Sequence, residues 1–474
     1  MTQPLWTSQA AKEATDGELT GGPWVATGIS IDTRTLKPGD LFVAIEGLDR
    51  DGHEFIAAAE KAGAAAILVS RPAGAKGPCL VVEDTLEGLN ALARSARARC
   101  QAKVVAITGS VGKTSTKEAL LKALQPSGKV HASELSYNNL WGVPLSLARM
   151  PEDTQYGVFE IGMNHPGEII PLTAMVEPDV AIVTTVASVH LEFFKDETEI
   201  AEAKAEIFSG LKAGGIAIIN RDSVHFNLLK TRAGEAGAGR IVGFGEHAEA
   251  ETRLTRVKLH ETCTCVAATI NGTDAAYGIG AAGKHWAINS LAVLSAVDAL
   301  GADLAKAALA MRDVAPPKGR GERQDVRLAS GGSFTLIDES YNANPASMRA
   351  ALSTLGAIKP AGEGRRIAIL GDMRELGETS QALHIALAPD LKAAHPDLLF
   401  CCGPRMAALW NEMRDMVEGA HAAVSTDLID PVTSAIRDGD VVTIKGSLGT
   451  NMAPIVSALL DLDCKQSQNT AKGA

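Results

Sequence analysis

A loop that contains two glycines and a lysine lies between an apolar run and a helical one. The run VVAIT (104–108) leads into TGSVGKTS (108–115), and residues that favour helices follow. In a strand–loop–helix arrangement, the backbone N–H groups of the loop and the helix N-terminus hold phosphate oxygens. Lys113 would reach the β- and γ-phosphates, and the Thr114 hydroxyl would ligate magnesium. Although Ile107 stands at the first glycine of the form GxxxxGK[ST], the loop predicts binding of a nucleoside triphosphate.

Three residues downstream have side chains that metal ions or phosphates use as ligands. Glu160 ends the run GVFEIG, His190 follows the run VAIVTTV, and Lys204 lies in the helical segment AEAKAEIF. Each also has an ordinary explanation when it is taken alone. Glu160 would be a charge at a strand end, His190 a polar cap, and Lys204 part of a solvated face with Glu202 and Glu206.

The elements around these residues alternate between strand and helix, which predicts a parallel sheet. Residues 250–280 carry short β-like runs with polar alternation, which predict an antiparallel addition to that sheet. Further alternation follows residue 323 and predicts a second doubly wound unit. The predicted strands of the middle segment are 104–108, 157–162, 180–186 and 215–220, and its predicted helices begin near residue 113 or span 199–211, 287–300 and 303–313.

A chain of 474 residues predicts about three domains. We expect an α/β protein with a small mixed α/β N-terminal domain (1–84), a central parallel-sheet domain of P-loop ATPase type (85–314) and a C-terminal Rossmann-like domain (315–474). The segment APPKGRGER (315–323) is rich in proline, glycine and arginine, which suits a linker.

Composition excludes several classes of protein. Hydrophobic residues make up 46% and charged residues 21%, as in a globular chain, while a net charge of −11 and 4% aromatics argue against nucleic acid as a partner. No apolar stretch reaches about 18 residues, so we expect no membrane insertion. Residues 1–17 include acidic side chains and no apolar core of a signal peptide. Seven cysteines without a CxxC pair indicate reduced thiols and a cytoplasmic protein.

Several motifs together resemble the Mur ligases, the ATP-dependent amide-forming enzymes of peptidoglycan precursor synthesis. Their order and spacing carry the resemblance, and both flanks of the central segment share it. The central motifs are TGSVGKTS, YNNLWGVPLSL (137–147), FEIGMNHPGEI (159–169), HLEFF (190–194) and AKAEIF (203–208). The flanking motifs are residues 30–69, GKHWAINSLAV (283–293), KGR (318–320), DESYNANPASMRAAL (338–352), LGDMRELGETS (370–380) and IKGS (444–447).

Within this family, SYNN, GVP and SYNANP resemble the members that join D-alanyl-D-alanine to UDP-N-acetylmuramoyl-tripeptide through an acyl phosphate. The alternative is a Mur ligase that adds the third amino acid, diaminopimelate or lysine. That branch tends to carry a DNPR-like motif, whereas the similar string here is GPRM (403–406). Which of those two amino acids is third in the substrate's peptide stays open. So does the contribution of residues 448–452, because Leu448 follows IKGS where arginine is frequent.

The resemblance implies ATP and two magnesium ions as cofactors, with four catalytic residues. Thr114 and Glu160 would hold one ion, with Lys113 on the phosphates. His190 and Lys204 would hold the second, and a carbamylated Lys204 would supply an anionic oxygen. The residues that would bind the nucleotide are Gly109, Ser110, Val111, Gly112, Lys113, Thr114, Ser115, Asn289, Arg320 and Asp338.

The resemblance also implies a division of labour among the three domains, which would close on one site in a monomer. The first domain would hold the uridine nucleotide, the second would activate the tripeptide carboxylate, and the third would bring D-alanyl-D-alanine. The residues that would bind these substrates are Ser30, Thr33, Arg34, Asn138, Asn139, Tyr341, Asn342 and Asn344.

Overall fold

The computed structural model describes residues 4–463 except 48–49, 73, 135 and 190. Its N-terminal part has a five-stranded sheet in the order β2-β7-β6-β5-β4, which is parallel apart from β2, and a separate antiparallel pair, β1 and β3. The strands are β1 (Trp6–Thr7), β2 (Glu18–Thr20), β3 (Val25–Ala26), β4 (Gly28–Ser30), β5 (Asp40–Val43), β6 (Ala66–Val69) and β7 (Cys79–Val81). The helices are α1 (Ser8–Thr15), α2 (Ile56–Lys61) and α3 (Thr85–Arg99).

The central part is a nine-stranded sheet in the order β16-β15-β14-β13-β12-β11-β8-β10-β9. The strands are β8 (Lys103–Thr108), β9 (Val130–Ala132), β10 (Tyr156–Glu160), β11 (Val180–Val183), β12 (Ile216–Asn220), β13 (Arg240–Gly245), β14 (Thr252–Leu259), β15 (Thr264–Ile270) and β16 (Thr273–Ile279). The helices are α4 (Lys113–Leu124), α5 (Gly142–Ala148), α6 (Ile169–Val176), α7 (Glu197–Ala205), α8 (Phe226–Glu235), α9 (Lys284–Ala299) and α10 (Leu304–Ala310).

Strands β8 to β14 pair in parallel, and β14, β15 and β16 pair antiparallel, as the sequence predicts. The strand before the phosphate loop, β8, lies between β10 and β11 and is almost wholly buried and apolar, as a central parallel strand should be. The carboxyl ends of these three strands therefore meet at one edge of the sheet, where ligands of open α/β sheets bind.

The C-terminal part has a six-stranded sheet in the order β17-β18-β22-β19-β20-β21, parallel except for the hairpin of β17 and β18. The strands are β17 (Glu322–Arg327), β18 (Ser333–Glu339), β19 (Arg366–Gly371), β20 (Leu398–Cys402), β21 (Glu418–Ala422) and β22 (Val441–Lys445). The helices are α11 (Pro345–Ala357), α12 (Ser380–Ile385), α13 (Ala388–Ala394), α14 (Ala407–Met413), α15 (Ile429–Ala435) and α16 (Ala453–Leu460).

The sequence of this part predicts one helix over about residues 380–394, and that prediction is wrong. The structure has two helices, α12 and α13, with Pro389 in the first turn of the second. Proline lacks an N–H group and its ring clashes with the preceding turn, so a helix begins at such a residue more readily than it continues through it.

The N-terminal and central parts share one hydrophobic core. That core contains Trp6 and Leu41 from the N-terminal sheets, Leu89 from α3 and Phe159 from the central sheet. The Trp6 indole N–H also donates to the Ala148 carbonyl oxygen over 2.9 Å in a buried contact. Helix α3 thus packs on both sides of the boundary predicted near residue 84. No helix in the described part of the chain is both long and apolar enough to cross a bilayer.

Candidate active site

The phosphate loop joins the end of β8 to the start of α4. Gly109 has a φ of 148° and Gly112 a φ of 89°, values that favour glycine. A Cβ atom at Gly109 would also lie 1.9 Å from the Thr184 hydroxyl oxygen, so no larger residue fits. Lys113 Nζ donates to the Gly109 carbonyl oxygen over 2.6 Å. Burial lowers the pKa of Lys113, Glu160 opposes that shift and Arg320 adds to it.

Glu160 connects two parts of the site. Its Oε2 accepts from the Thr114 hydroxyl over 2.8 Å, and its Oε1 accepts from Asn138 Nδ2 over 2.7 Å. Glu160 and Thr114 are both buried, and no lysine or arginine of the described chain forms an ion pair with this carboxylate. A buried carboxylate beside a hydroxyl, with neutral partners only, fits a magnesium ion, which prefers oxygen ligands.

Lys204 does not lie on a solvated helix face with Glu202 and Glu206, which was the ordinary explanation for a lysine in this segment. Its side chain is 2% exposed, and burial, with the nearby charge of Lys113, lowers its pKa well below the usual range. Its acidic neighbours have other partners: Glu202 pairs with Arg232 at 2.6 Å, and Glu206 Oε1 accepts from the Gly167 N–H over 2.7 Å. His190, the other predicted ligand of a second ion, lies outside the described residues.

A cavity of about 660 Å³ opens between the phosphate loop and the C-terminal part. It brings together most of the residues that the sequence predicts for nucleotide and substrate. Those in its wall are Ser110, Val111, Gly112, Lys113, Thr114, Ser115, Asn138, Asn139, Glu160, Asn289, Arg320, Tyr341, Asn342 and Asn344.

The SYNANP segment faces the phosphate loop because the chain after the linker folds back across the cavity. The Tyr341 N–H donates to the Gly319 carbonyl oxygen, and the Arg320 guanidinium lies 4.4 Å from the centre of the Tyr341 ring. Lys445 Nζ donates to the Asn342 carbonyl oxygen over 2.9 Å. Asn344 caps α11, since its Oδ1 accepts from the Ser347 N–H over 2.9 Å. These contacts fix the segment at the rim of the site.

Besides Gly109 and Lys204, whose surroundings are given above, four predicted site residues of the described chain lie outside this cavity. Asp338 is buried, and its carboxylate accepts from the Ser340 N–H over 2.9 Å. Ser30, Thr33 and Arg34 belong to the N-terminal part, where the exposed Arg34 pairs with Asp32 at 2.6 Å. Their predicted contacts with a ribose and with a uridine nucleotide stay predictions.

Sequence reasoning missed about half of the cavity wall. Lys284, His285 and Lys445 lie in motifs of the resemblance, GKHWAINSLAV and IKGS, so the motifs carried a signal for them. The same holds for every other unpredicted residue of the wall except Thr185, which lies outside the motifs of the resemblance. The unpredicted residues of the wall are Ser136, Gly162, Met163, Asn164, Glu168, Thr185, Lys284, His285, Ile288, Gly319, Glu339, Ser347, Ala350 and Lys445. A second cavity of about 150 Å³ joins Lys113 to Arg374 and Leu448, which gives Leu448 a place beside the site.

The fold and the site define a phosphate-loop protein whose nucleotide-binding edge is covered by a second doubly wound unit. Three family models match successive parts of the chain: "Mur ligase family, catalytic domain" at residues 25–98, "Mur ligase middle domain" at 107–297, and "Mur ligase, glutamate ligase domain" at 319–448. The chain therefore belongs to the Mur ligase family, as its motifs predict.

Relatives extend the match to nearly the whole chain. The UDP-N-acetylmuramoyl-tripeptide–D-alanyl-D-alanine ligase of Rickettsia prowazekii is 35% identical over 430 residues, which cover 90% of this chain and 94% of that protein. The crystal structure of MurF from Acinetobacter baumannii superposes with a TM-score of 0.82 at 28% identity, covering 97% of this chain and 99% of that one. MurF ligase from Thermotoga maritima in complex with ADP gives 0.74 at 25% identity, covering 92% and 97%.

Proposed function

We propose that this chain is an ATP-dependent ligase that joins D-alanyl-D-alanine to UDP-N-acetylmuramoyl-tripeptide and releases ADP and phosphate. One observation carries the proposal: the SYNANP segment and the phosphate loop line the same cavity. The named relative of matching length and the ADP complex of a similar structure support the dipeptide and the nucleotide. The alternative, addition of the third amino acid, has less support, because the string GPRM (403–406) lies outside the cavity wall.

The chemistry requires activation of a carboxylate, which is a poor electrophile. Transfer of the γ-phosphoryl group of ATP to the tripeptide carboxylate gives an acyl phosphate and ADP. The free amine of D-alanyl-D-alanine then attacks the acyl carbon, phosphate leaves, the amine loses a proton, and an amide remains. Lys113, Arg320 and the N–H groups of residues 109–115 would stabilise the negative charge that develops in both steps.

Thr114 and Glu160 would hold a magnesium ion, which when bound offsets the charge of the phosphates. Their hydrogen bond would preorganise the metal position, since the Thr114 hydroxyl oxygen and Glu160 Oε2 already lie 2.8 Å apart. Asn138 would orient Glu160 through its amide N–H.

Lys204, as a carbamate, and His190 would hold a second magnesium ion. Carbamylation requires an uncharged amine, and an unperturbed lysine with a pKa of about 10.4 is almost wholly protonated at neutral pH. Burial and the nearby charge of Lys113 lower the pKa of Lys204, which favours the uncharged amine. A carbon dioxide molecule would add to Nζ with loss of one proton, leaving an anionic oxygen donor.

The substrates would reach this site from three domains, 1–84, 85–314 and 315–474. Ser30, Thr33 and Arg34 would hold the uridine nucleotide, and Asn342 would meet the dipeptide. The nucleotide would contact Asp338 through its ribose only after the domains close further, because this carboxylate lies outside the cavity wall. The enzyme would act as a monomer in the cytoplasm.

An amide-forming assay tests the proposal. Purified protein is incubated with ATP and magnesium in three reactions. The first contains UDP-N-acetylmuramoyl-tripeptide and D-alanyl-D-alanine. The other two contain UDP-N-acetylmuramoyl-dipeptide with either diaminopimelate or lysine. We expect amide product only in the reaction with D-alanyl-D-alanine, with one phosphate released for each amide formed. Product with a single amino acid would favour the alternative, and phosphate release without product would reject the ligase. Lys113→Ala, checked for folding by circular dichroism, should abolish turnover.

A further inference from the structure

Arg149 lies at the junction of the N-terminal and central parts, and none of the assigned functions includes it. It is the residue that follows α5, and its side chain is 17% exposed. Its Nε donates to the Ile29 carbonyl oxygen over 2.7 Å, and its Nη1 donates to Glu134 Oε2 over 2.6 Å. One guanidinium therefore holds two chain segments that are more than 100 residues apart.

The first of these segments leads directly to the proposed uridine site. Ile29 is buried in β4 and is followed by Ser30 and by the turn that contains Arg34. That turn is held internally, since the Asp32 N–H donates to the Ser30 hydroxyl oxygen over 3.2 Å. A contact that fixes the Ile29 carbonyl therefore fixes the start of the turn.

The second segment, residues 134–139 apart from residue 135, leads to the phosphate site. The Arg149 guanidinium lies 5.9 Å from the centre of the Tyr137 ring. The next residue, Asn138, donates to Glu160 through its side chain and accepts from the Gly162 N–H over 2.7 Å through its carbonyl oxygen. Glu160 in turn accepts from Thr114, so the contacts run without a break from Arg149 to the phosphate loop.

The same segment also touches the C-terminal part and begins α5. The Ser136 hydroxyl oxygen accepts from Arg320 Nη2 over 3.1 Å. Asn139 Oδ1 accepts from the Gly142 N–H over 2.9 Å at the first turn of α5, and Arg149 follows the last turn of that helix. All seven residues of α5 are buried. Helix α5 is thus a rigid element, with one end at the phosphate site and the other at the N-terminal sheet.

We propose that Arg149 is a positioning residue that keeps the uridine-side turn (30–34) in register with the segment 136–139 at the phosphate site. This inference rests on the proposed function for the identity of the two ligands. Arginine suits the role because its planar group offers several N–H donors in fixed directions, so it can bind a carbonyl oxygen and a carboxylate at once. A lysine at the same position offers its N–H donors from a single nitrogen, so it suits two acceptors that face different guanidinium nitrogens less well.

The kinetic test uses Arg149→Gln and Arg149→Lys. Loss of a hydrogen bond to a charged group predicts that Arg149→Gln raises the KM for UDP-N-acetylmuramoyl-tripeptide about tenfold. It should also lower kcat, because Asn138 and Glu160 lose their alignment, and leave the KM for D-alanyl-D-alanine within about twofold. Arg149→Lys should recover part of the loss.

Arg99 provides a matched control at the same junction. Its Nη2 donates to the Leu5 carbonyl oxygen over 3.0 Å, and its guanidinium lies 4.1 Å from the Trp6 ring. It has the same kind of contact as Arg149 but none with the segment 134–139. Arg99→Gln should leave both KM values and kcat close to wild type, and equal effects of Arg99→Gln and Arg149→Gln would overturn the positioning role.

Hydrogen exchange of the free protein separates this inference from the proposed function, because it needs no substrate. We expect the amides of residues 136–142 to exchange faster in Arg149→Gln than in wild type and Arg99→Gln. Unchanged exchange in that segment would overturn the inference even if the ligase assay succeeds. Faster exchange confined to Arg149→Gln would support the inference even if wild-type protein forms no amide, in which case only the proposed function would fail.

Discussion

Thr114 donates its hydroxyl proton to Glu160 across 2.8 Å, although the two residues are 46 positions apart in the chain. Strand register explains the contact. Strand β10 pairs in parallel with β8, so that Glu160 lies opposite Ile107, one residue before β8 ends at Thr108. The last residue of β10 is thus level with the end of β8, next to the loop that follows β8. A carboxylate at this position faces the first turn of α4 without any special turn of its own.

We expect the Thr114–Glu160 pair to determine the magnesium requirement. Glu160→Gln keeps the size of the side chain but removes the negative charge. Its amide oxygen can still accept from Asn138, while its amide N–H would donate to the Thr114 hydroxyl oxygen. The magnesium concentration for half-maximal activity should rise at least about tenfold, as for loss of a metal ligand. Activity titrated with magnesium at saturating ATP measures this.

Thr114→Ser is the matched control because it keeps the hydroxyl, and it should need nearly the wild-type magnesium concentration. Thr114→Ala should resemble Glu160→Gln. If Glu160→Gln kept the wild-type magnesium requirement, the carboxylate would have only a structural role and the magnesium position would lie elsewhere.

Local signals in the sequence predict the central elements well. The sequence predicts a helix over about residues 85–99, and α3 has these bounds, because Asp84 caps its N-terminus and its apolar residues recur at helical spacing. The strand before the phosphate loop contains the continuous apolar run VVAI, which predicts a buried parallel strand. The edge strand β21 has the sequence EGAHA, which contains no apolar run. It is a strand because it pairs with β20, so its own residues did not predict it.

Burial of charged groups was not predictable in the same way. The segment AEAKAEIF has the composition of a solvated helix face, yet Lys204 is buried. Its flanking glutamates turn to Arg232 and to the Gly167 N–H, partners that are distant in sequence. The two contacts of Arg149 are likewise long-range and carry no motif. Residue types and spacing therefore predicted the phosphate loop, whereas side-chain partners across the site depended on tertiary structure.

The two asparagines of the SYNANP segment, Asn342 and Asn344, should differ in their effect on stability. Asn344 caps α11, so Asn344→Ala should cost about 1 kcal/mol of stability in addition to any effect on turnover. Asn344→Ser keeps a capping oxygen and should restore the stability. The side chain of Asn342 accepts only from the Ala343 N–H in the described structure, so Asn342→Ala should leave stability near wild type.

The kinetic part of this prediction concerns catalysis. Asn342→Ala and Asn344→Ser should lower kcat more than they weaken binding of UDP-N-acetylmuramoyl-tripeptide, because both positions line the cavity opposite the phosphate loop. Steady-state kinetics and thermal unfolding on the same preparations measure the two effects. If the variants instead lost affinity for the uridine nucleotide and kept normal turnover, the segment would bind that substrate and its predicted role in catalysis would be wrong.

Buried histidines should make the folded protein less stable in mild acid. Burial lowers the pKa of His131, His285 and His384. In the unfolded chain a histidine binds a proton as the pH falls through about 6.5. The folded chain binds this proton only at lower pH, so the unfolded state binds more protons in that window. The free energy of unfolding therefore decreases as the pH decreases. Each histidine should contribute a slope of up to about 1.4 kcal/mol per pH unit.

His384 offers the sharpest test of this slope. Its Nε2 accepts from the Met373 N–H over 3.0 Å, and its Nδ1 faces the Ser380 carbonyl oxygen at 2.7 Å, so protonation of Nε2 would break the first contact. Urea unfolding at pH 7.5, 6.5 and 5.5 should show a smaller loss of stability in His384→Gln than in wild type. An equal loss in both proteins would mean that this histidine does not take up the proton.

Lys204 should act as a carbamate, and chemical rescue distinguishes this from a simple charge. Lys204→Ala should lose several kcal/mol of transition-state stabilisation, on the order of a metal ligand's contribution. Small carboxylic acids such as acetate should restore part of the activity by supplying the missing oxygen. Lys204→Arg keeps a positive charge but cannot form the carbamate, so it should be as inactive as Lys204→Ala and should not respond to the acids.

Glu202→Gln, which alters the exposed pair with Arg232, is the control and should remain active. Turnover measured with and without added carboxylic acid gives the answer: substantial activity in Lys204→Arg would reject the carbamate, since a cation would then suffice at this position.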